Sequence, residues 1–308
     1  MKRPLNVPAA LEHRNGVTPS FFIVPTEVNN LTALEYLLQR FHKLPPQKLT
    51  EKINSGGFFL DSGAPVKPNA LLTKAQRIWY YREVHNELPI PFEMPILFED
   101  DNIIVVDKPH FLATSPAGRS LHETALVRLR AATNNLDITA AHRLDRATAG
   151  VLLFTKRAEL RRPYQQLFEQ RQTQKTYHAV CACQPQLAAQ FNIELRLALN
   201  EHNPLMSVVD GAPNSQTQVT LLAKTDSYAH YQLLPHTGKQ HQLRVHMAHI
   251  GAGIINDHWY PAGLLRQDDN FAEPLQLLAK RLEFIDPITG AKQCFESNQQ
   301  LSYVHTYF

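Results

Sequence analysis

Residues 142–154 read HRLDRATAGVLLF and join a polar loop to an apolar strand. Asp145 lies between Arg143 and Arg146, and the run after Gly150 has the composition of a buried strand. A charged loop packed against a sheet can hold its side chains at the mouth of a cleft. Taken alone, Asp145 is as simply explained as a surface carboxylate in an ion pair. The rest of the sequence decides between the two interpretations.

Apolar runs with strand-like composition recur through the chain, and helical spacing is less frequent. We predict strands at 103–106, 151–154, 175–183, 193–199, 216–223 and 230–234, and helices at 31–41, 47–55, 164–171 and from about Thr237 to Gly251. The helices fall irregularly between the strands. This order predicts an α+β fold with a mixed, mainly antiparallel sheet and flanking helices, and argues against a regular alternation of strand and helix.

The sequence divides into four segments. Residues 1–20 are polar and are expected to form a flexible arm, and residues 21–86 have the helix–helix–strand–turn–strand order of a small α/β domain. Three prolines between 87 and 95 indicate a semi-rigid linker. Residues 96–308 then form the large domain. The lysines and arginines of the small domain are equally consistent with a solvated surface.

The composition narrows the class of protein. The chain has 308 residues, a formal net charge of +3 and 3 cysteines. An odd, sparse set of cysteines does not indicate a disulfide framework, and no stretch is apolar enough for a signal peptide or a membrane span. We therefore expect a cytoplasmic protein without a membrane. The small net charge favours nucleic acid only weakly, so any RNA affinity must come from local patches.

A second polar cluster, HTGKQHQLRVHM, occupies residues 236–247. His241 and His246 are five residues apart, and His246 and His249 are three apart. Only the second pair shares a helical face well, and no nearby cysteine or carboxylate completes a ligand set. We therefore expect no metal site here.

Arg244 lies beside the apolar stripe of the predicted helix, whose start is indicated by Thr237 and Gln240 at capping-box spacing. A buried guanidinium needs an acidic partner, and Asp145 is a natural candidate. The simpler alternative is an exposed arginine on a solvated helix face.

Four pieces of the large domain, taken together, resemble the motifs of the RluA-type pseudouridine synthases. They occur in the family's order and at similar distances, from about residue 100 to 286. The matching pieces are 104–109 (IVVDKP), 142–150 (HRLDRATAG), 175–177 (KTY) and 237–246 (TGKQHQLRVH), the last followed by Gly251, Asp257 and Tyr260. The resemblance implies an enzyme that isomerises a uridine in structured RNA, without a cofactor or metal and with no obligatory protein partner.

The resemblance also implies roles for individual residues. Asp145 would be the catalytic carboxylate, Tyr177 would stack on the base and assist proton transfer at carbon 5, and Arg244 would pair with Asp145. Leu243 would pack under the base, and Arg143 would fill the space left by the flipped nucleotide. The remaining residues expected to contact the substrate are Lys108, His142, Arg146, Lys175 and His241.

The sequence departs from the family pattern in a few places. Ala149 replaces a common serine, and Leu278 lies where the family usually has histidine. The small domain resembles the S-four-like RNA-binding domain that many members carry, but Leu44-Pro45-Pro46 replaces its usual basic residues. This domain makes 23S ribosomal RNA the first expected target, and tRNA the second.

Two other functions compete with the isomerase. A non-catalytic RNA-binding or ribosome-assembly protein would have no need of Asp145, Tyr177 and Arg244 together. A glycoside hydrolase would normally need a second catalytic carboxylate, and no paired-carboxylate motif accompanies Asp145. The three residues together favour catalysis by the isomerase.

Overall fold

The computed structural model describes residues 7–8, 10–28, 30–84, 86–200, 203–260 and 269–308. The small N-terminal unit packs two helices on one face of a three-stranded antiparallel sheet in which β3 lies between β1 and β2. Its elements are β1 (Ser20–Ile23), α1 (Ala33–Arg40), α2 (Pro46–Asn54), β2 (Phe58–Phe59) and β3 (Arg77–Tyr80).

The two predicted helices of the small unit are present with clear local causes. Thr32 caps α1, with Glu35 accepting a hydrogen bond from the Thr32 backbone N–H at 2.8 Å. Pro46 is the first residue of α2, a position at which its missing N–H costs nothing. Leu37, Ile53 and neighbouring apolar residues then pack beneath the sheet.

The segment expected to be a flexible arm is in part packed. Residues 1–6 and 9 lie outside the described residues, whereas Leu11 and Val17 are buried. Val17 packs against Leu121 and Val127 of the large domain. Ser20 already belongs to β1, which the short, unpatterned sequence did not reveal.

The large domain is built on a ten-stranded sheet that is mixed and mainly antiparallel, which is the type of sheet that the sequence predicted. Its strands follow the order β4-β5-β7-β14-β8-β13-β12-β9, with β15 on β14 and β6 on β7, and a separate hairpin joins β10 to β11. The strands are β4 (Ile96–Glu99), β5 (Ile103–Lys108), β6 (Thr139–Ala140), β7 (Ala149–Thr155), β8 (Thr173–Ala182), β9 (Gln190–Leu195), β10 (Leu197–Asn200), β11 (Asn203–Val208), β12 (Ser215–Lys224), β13 (Tyr228–Pro235), β14 (Leu277–Ile285) and β15 (Lys292–Glu296).

Helices flank this sheet, and all but the last lie between its strands in the chain. They are α3 (Ala125–Thr133), α4 (Arg161–Glu169, after a 3-10 turn at Ala158–Leu160), α5 (Gln242–His249) and α6 (Ser302–Tyr307). None of the helices in the described ranges is long and apolar enough to cross a membrane.

Strands β5 and β7 are buried on both faces, which explains their unbroken apolar runs. Ile104 and Leu152 point to the cluster that includes α3, and Val105 and Leu153 point to the cluster that includes α4. The loop that ends at β7 is therefore attached to the most deeply buried part of the sheet.

The proline-rich linker is docked along its length. Glu87 accepts hydrogen bonds from the backbone N–H groups of Leu121, His122 and Glu123 at 2.6, 2.9 and 3.0 Å. Arg128 donates to the carbonyls of Ile90 and Phe92, each at 2.7 Å. The linker thus braces the chain around residue 120, which forms one wall of the cleft described below.

Gly150 is required where β7 and β14 form the one parallel pairing of the large sheet within the described ranges. Its φ is +113°, and a Cβ there would lie 2.2 Å from the carbonyl oxygen of Ala279. Such a separation is far inside van der Waals distance and falls on backbone that is held by the sheet.

We predict that Gly150→Ala lowers the free energy of unfolding by about 3 kcal/mol or more, since both the backbone conformation and the steric overlap are unfavourable. Gly290→Ala is the control, because φ is +72° there and nothing lies within 4 Å of the added Cβ. It should cost about 1–2 kcal/mol. Urea unfolding of both variants measures the difference, and equal losses would contradict the steric explanation.

Candidate active site

The loop before β7 is fixed by side chains from the segment that follows β5. Thr114 Oγ1 donates to the carbonyl of Leu144 at 2.8 Å and accepts from the backbone N–H of Leu144 at 3.1 Å. His110 Nδ1 lies 2.7 Å from the carbonyl oxygen of Ala147. The residues on both sides of Asp145 are therefore anchored before any substrate arrives.

Lys108 completes this anchoring from below the loop. Its fully buried ammonium donates to the carbonyls of Pro109 and Leu112 at 2.9 and 2.8 Å, and lies 3.4 Å from that of Arg146. Burial lowers the pKa of Lys108 to about 7, although Asp145 opposes this shift. Lys108 therefore supports the loop from below and does not line either lobe of the cleft described below.

The Asp145 carboxylate is held between two donors without a close hydrogen bond. Arg244 Nη1 lies 3.6 Å from Oδ2, and His241 Nε2 lies 3.8 Å from Oδ1. The side chain is 18% exposed. Among the described residues, none donates an ordinary hydrogen bond to this carboxylate, so its lone pairs remain available for chemistry.

The nearest partner of Arg244 is Asp257, and the expected pairing with Asp145 is the longer of the two. Arg244 Nε and Nη2 each donate to Asp257 at 2.7 Å, in the two-pronged geometry that suits guanidinium and carboxylate. The Asp257 side chain is 1% exposed and also accepts from the backbone N–H groups of Trp259 and Tyr260. Arg244 is thus fixed by Asp257 and presents Nη1 to Asp145.

Helix α5 begins later than the sequence indicated. The expected capping by Thr237 is wrong: its hydroxyl donates to Gln242 Oε1 at 2.6 Å and accepts from the backbone N–H of Gln216 at 2.9 Å. The helix starts at Gln242 because His241 has a left-handed backbone, with φ of 54°. His241 therefore lies just before the helix and Arg244 lies in its first turn, and both face the Asp145 carboxylate.

Tyr177 lies near the middle of β8, where its ring packs between the two large core clusters of the sheet. Burial, and next the charge of Asp145, raise the pKa of its phenol well above the usual value. Tyr177 and Leu243 line the same part of the cleft as Asp145. Lys175 lines it too, and burial followed by Arg171 lowers the pKa of its ammonium.

Asp145 lies where two lobes of a cleft meet. The larger lobe, of about 880 Å³, extends along residues 115–120 to Trp259, and the smaller, of about 420 Å³, extends to Tyr177 and Lys239. The exposed Arg143 lines both lobes. Volumes of this size are typical of ligand sites.

Comparisons with known proteins show the family to which the chain belongs. The sequence profile of the RNA pseudouridylate synthase family matches residues 102–249. The tRNA pseudouridine synthase C of Yersinia pestis is 32% identical over 216 residues, which cover 64% of this chain and 83% of the relative. The dual-specificity RNA pseudouridine synthase RluA of Vibrio vulnificus is 32% identical over 199 residues, covering 62% and 78%. The chain belongs to the RluA-type family of RNA pseudouridine synthases.

Solved structures give the same assignment of fold. Human RNA pseudouridylate synthase domain containing 4 superposes with a TM-score of 0.52 at 26% identity, covering 68% of this chain and 90% of that chain. Human RNA pseudouridylate synthase domain containing 1 gives 0.56 at 20% identity, covering 71% and 96%. The chain is accordingly an RNA pseudouridine synthase, an isomerase with the α+β fold predicted from its sequence.

Two residues of the family motif have partners that the sequence did not reveal. His142 stacks on Phe168 with ring centroids 4.4 Å apart, and its Nε2 accepts from the backbone N–H of Leu153 at 3.2 Å. Burial, and next Lys175, lower the pKa of His142 to about 3. A neutral, packed ring supports the motif loop, in addition to lining the cleft.

Arg146 forms a two-pronged ion pair with Asp269, with both distances at 2.6 Å. Arg119 Nη2 lies 3.8 Å from the same carboxylate. Asp269 is 123 residues away along the chain, so no local pattern could have indicated this contact. The pair closes one side of the larger lobe.

We predict that Asp257→Ala destabilises the fold by about 3–5 kcal/mol, because it leaves the buried Arg244 charge without its main partner. Glu159→Ala serves as the control, since its ion pair with Arg157 is 3.5 Å long and exposed, and should cost about 1 kcal/mol or less. Denaturant unfolding measures both. A loss in Asp257→Ala no larger than the control's would show that Arg244 does not depend on Asp257.

Proposed function

We propose that this enzyme isomerises a uridine in structured RNA through Asp145, with 23S ribosomal RNA as first candidate and tRNA as second. The observation that carries the assignment of Asp145 is the position of its carboxylate between Arg244 and His241, where both lobes meet. This carboxylate accepts no close hydrogen bond from the described residues. A group placed in this way can react with a nucleotide that enters either lobe.

The chemistry requires that one bond to the ribose replaces another. The bond between N1 of the uracil and C1′ breaks, the detached base turns, C5 bonds to C1′, and the proton on C5 leaves. N1 gains a proton, so no atom or electron is lost overall. Asp145 initiates the cleavage through its carboxylate, beside which Arg244 places a positive charge at 3.6 Å.

Tyr177 is assigned to the base itself. Its raised pKa keeps the phenol protonated at neutral pH, so the ring enters the reaction as a neutral stacking surface with one O–H donor. Leu243 lines the same lobe and supplies an apolar contact. Any proton that Tyr177 accepts from C5 therefore requires that its own proton first moves away.

The cluster of Asp145, Arg244 and Asp257 gives the glycoside hydrolase alternative no support. It needs a second carboxylate that is free to act as acid or base. Asp257 is the other carboxylate beside Arg244, but its oxygens already accept hydrogen bonds from Arg244 and two backbone N–H groups. Asp145 thus has no free carboxylate partner in that cluster.

Entry of the target base requires that the nucleotide leaves its stack. Arg143 is exposed at the junction of the lobes, where it can occupy the space that the base vacates. Lys175 and Lys239 line the smaller lobe and offer positive charge to the RNA backbone. His241 and Arg146 act from the wall of the cleft, each held by a partner.

The names of the two relatives indicate different targets: the Yersinia pestis protein is named for tRNA, and the Vibrio vulnificus protein is named a dual-specificity enzyme. The small domain over residues 21–86 is the reason for placing ribosomal RNA first. Its exposed lysines include Lys48, Lys67 and Lys74, whereas Lys52 is paired with Glu83 at 2.6 Å. The exposed lysines provide charge for binding RNA phosphates.

Asp145→Asn should abolish isomerisation and leave the fold and most RNA affinity intact, because the amide cannot act as the carboxylate does. Pseudouridine is mapped in total RNA from cells with and without the protein, by chemical labelling that stops reverse transcription. The site that disappears in the deletion should return with the wild type and not with Asp145→Asn. Asp137→Asn, which alters an exposed carboxylate outside the cleft lining, should restore it. Rescue by Asp145→Asn would refute the assignment.

Replacing Lys48, Lys67 and Lys74 together by alanine should weaken RNA binding and flatten its salt dependence. For each phosphate that a lysine no longer neutralises, the slope of log affinity against log salt should fall by about one. Lys224→Ala, an exposed lysine of the large domain outside the cleft lining, is the control. An unchanged slope in the triple variant would mean that the small domain does not bind RNA through these residues.

A further inference from the structure

His241 is the second neighbour of Asp145, and its ring is connected to the β10–β11 hairpin through one phenol. The backbone N–H of Met206 donates to the Tyr260 hydroxyl oxygen at 3.0 Å, and His241 Nδ1 lies 3.0 Å from the same oxygen. His241, Tyr260 and Met206 are all buried. The opposite ring nitrogen, Nε2, points toward Asp145 at 3.8 Å.

The backbone N–H of Met206 determines the direction of the hydrogen bonds among Met206, Tyr260 and His241. A backbone N–H can only donate, so the Tyr260 oxygen accepts from Met206 and keeps its own proton to give. Among the described residues, His241 Nδ1 is the acceptor that this proton can reach. Nδ1 is then the unprotonated nitrogen, and the neutral ring carries its proton on Nε2.

The opposite tautomer is unfavourable at both ends. A proton on Nδ1 would donate to the Tyr260 oxygen and leave the buried phenol proton without a partner, which costs about 1–3 kcal/mol. It would also turn the Nε2 lone pair toward the Asp145 carboxylate, 3.8 Å away. The two penalties act in the same direction and select the tautomer with hydrogen on Nε2.

We propose that His241 is a positioning residue that presents a neutral Nε2–H donor to Asp145, and that Tyr260, held by the Met206 backbone, fixes the tautomer that makes this possible. The proposal rests on the function proposed above for Asp145. At 3.8 Å the donor is too far for a hydrogen bond in the free enzyme. The distance shortens when substrate orders the carboxylate, as catalytic hydrogen bonds commonly do.

A neutral donor suits the charge balance of the cluster. Asp145 and Asp257 each carry one negative charge, and Arg244 carries one positive charge. Burial lowers the pKa of His241 despite the two nearby carboxylates, which keeps the ring uncharged at neutral pH. The cluster of these four residues therefore retains one negative charge, so Asp145 is oriented from a second side without losing its nucleophilic character.

The backbone conformation of His241 orients its ring toward Asp145. His241 has a left-handed conformation, which is uncommon for residues other than glycine, although asparagine, aspartate and histidine adopt it more often than the rest. The ring also packs against Trp259, with centroids 5.2 Å apart. A conformation of this kind persists only where surrounding contacts hold it, and here they direct Nε2 to the carboxylate.

The first test reads the tautomer directly. The full-length protein is labelled with nitrogen-15 in the histidine rings, and His241→Asn, which tolerates the left-handed backbone, identifies the signals of His241. We expect Nε2 to carry the proton and Nδ1 to show the shift of a hydrogen-bond acceptor. Tyr260→Phe should change the Nδ1 shift and mix the tautomers. A wild-type ring protonated on Nδ1 would refute the proposal.

The second test measures the reaction on the RNA identified by the mapping experiment. Tyr260→Phe and His241→Asn should each slow the single-turnover rate at least about tenfold, with RNA affinity changed less than about twofold. Tyr307→Phe, an exposed phenol, should react at the wild-type rate. Melting temperatures verify that each variant folds. A full rate in Tyr260→Phe with mixed tautomers would overturn the positioning role.

The two tests separate this proposal from the function on which it rests. The tautomer is measured without substrate, so it stands or falls independently of activity. A wild-type enzyme that leaves every RNA site unchanged would contradict the proposed function. An active wild-type enzyme whose His241 carries its proton on Nδ1 would contradict the positioning role alone.

Discussion

The buried ion pair between Arg244 and Asp257 is the interaction on which the rest of the site depends. Placing a guanidinium in the interior is unfavourable unless a carboxylate meets it with good geometry. Asp257 does so with two bonds of 2.7 Å, and the backbone N–H groups of Trp259 and Tyr260 in turn hold Asp257. Since Asp257 accepts the hydrogen bonds of Arg244 Nε and Nη2, Arg244 lies beside Asp145 without donating a close hydrogen bond to its carboxylate.

In the loop that carries Asp145, the main chain is also held by hydrogen bonds while the carboxylate is left free of close ones by the described residues. Thr114, His110 and Lys108 all bind main-chain atoms of this loop. They come from the end of β5 and the segment after it, and β5 pairs with β7 along its length. The loop thus continues into β7 at one end, and its main chain is bound by the last residue of β5 and the segment after it. Its carboxylate, in contrast, has no close hydrogen bond from the described residues.

The sequence predicted those features that depend on local pattern and on matching motifs. It indicated several strands of the large sheet, two helices of the small domain and most of the residues gathered at the cleft, but it missed β14 in the middle of the sheet. Apart from the proximity of Arg244 to Asp145, it did not indicate contacts between distant segments. Asp269 reaches Arg146 across 123 residues, and Thr237 matched a capping motif although its hydroxyl binds Gln216 and Gln242. Tertiary hydrogen bonds decided both cases, and a single sequence carries little record of them.

The placement of His241 shows why the missed helix start matters for function. A helix that began near Thr237 would include His241 in its regular backbone, and would turn its ring with the helix. The left-handed residue at the start of α5 instead lets the ring lie between Tyr260 and Asp145. Arg244, one turn later, reaches the same carboxylate with a charge. One charged and one neutral donor can together orient a carboxylate that neither of them neutralises completely, and this is the electrostatic condition that the proposed role of Asp145 as a nucleophile requires.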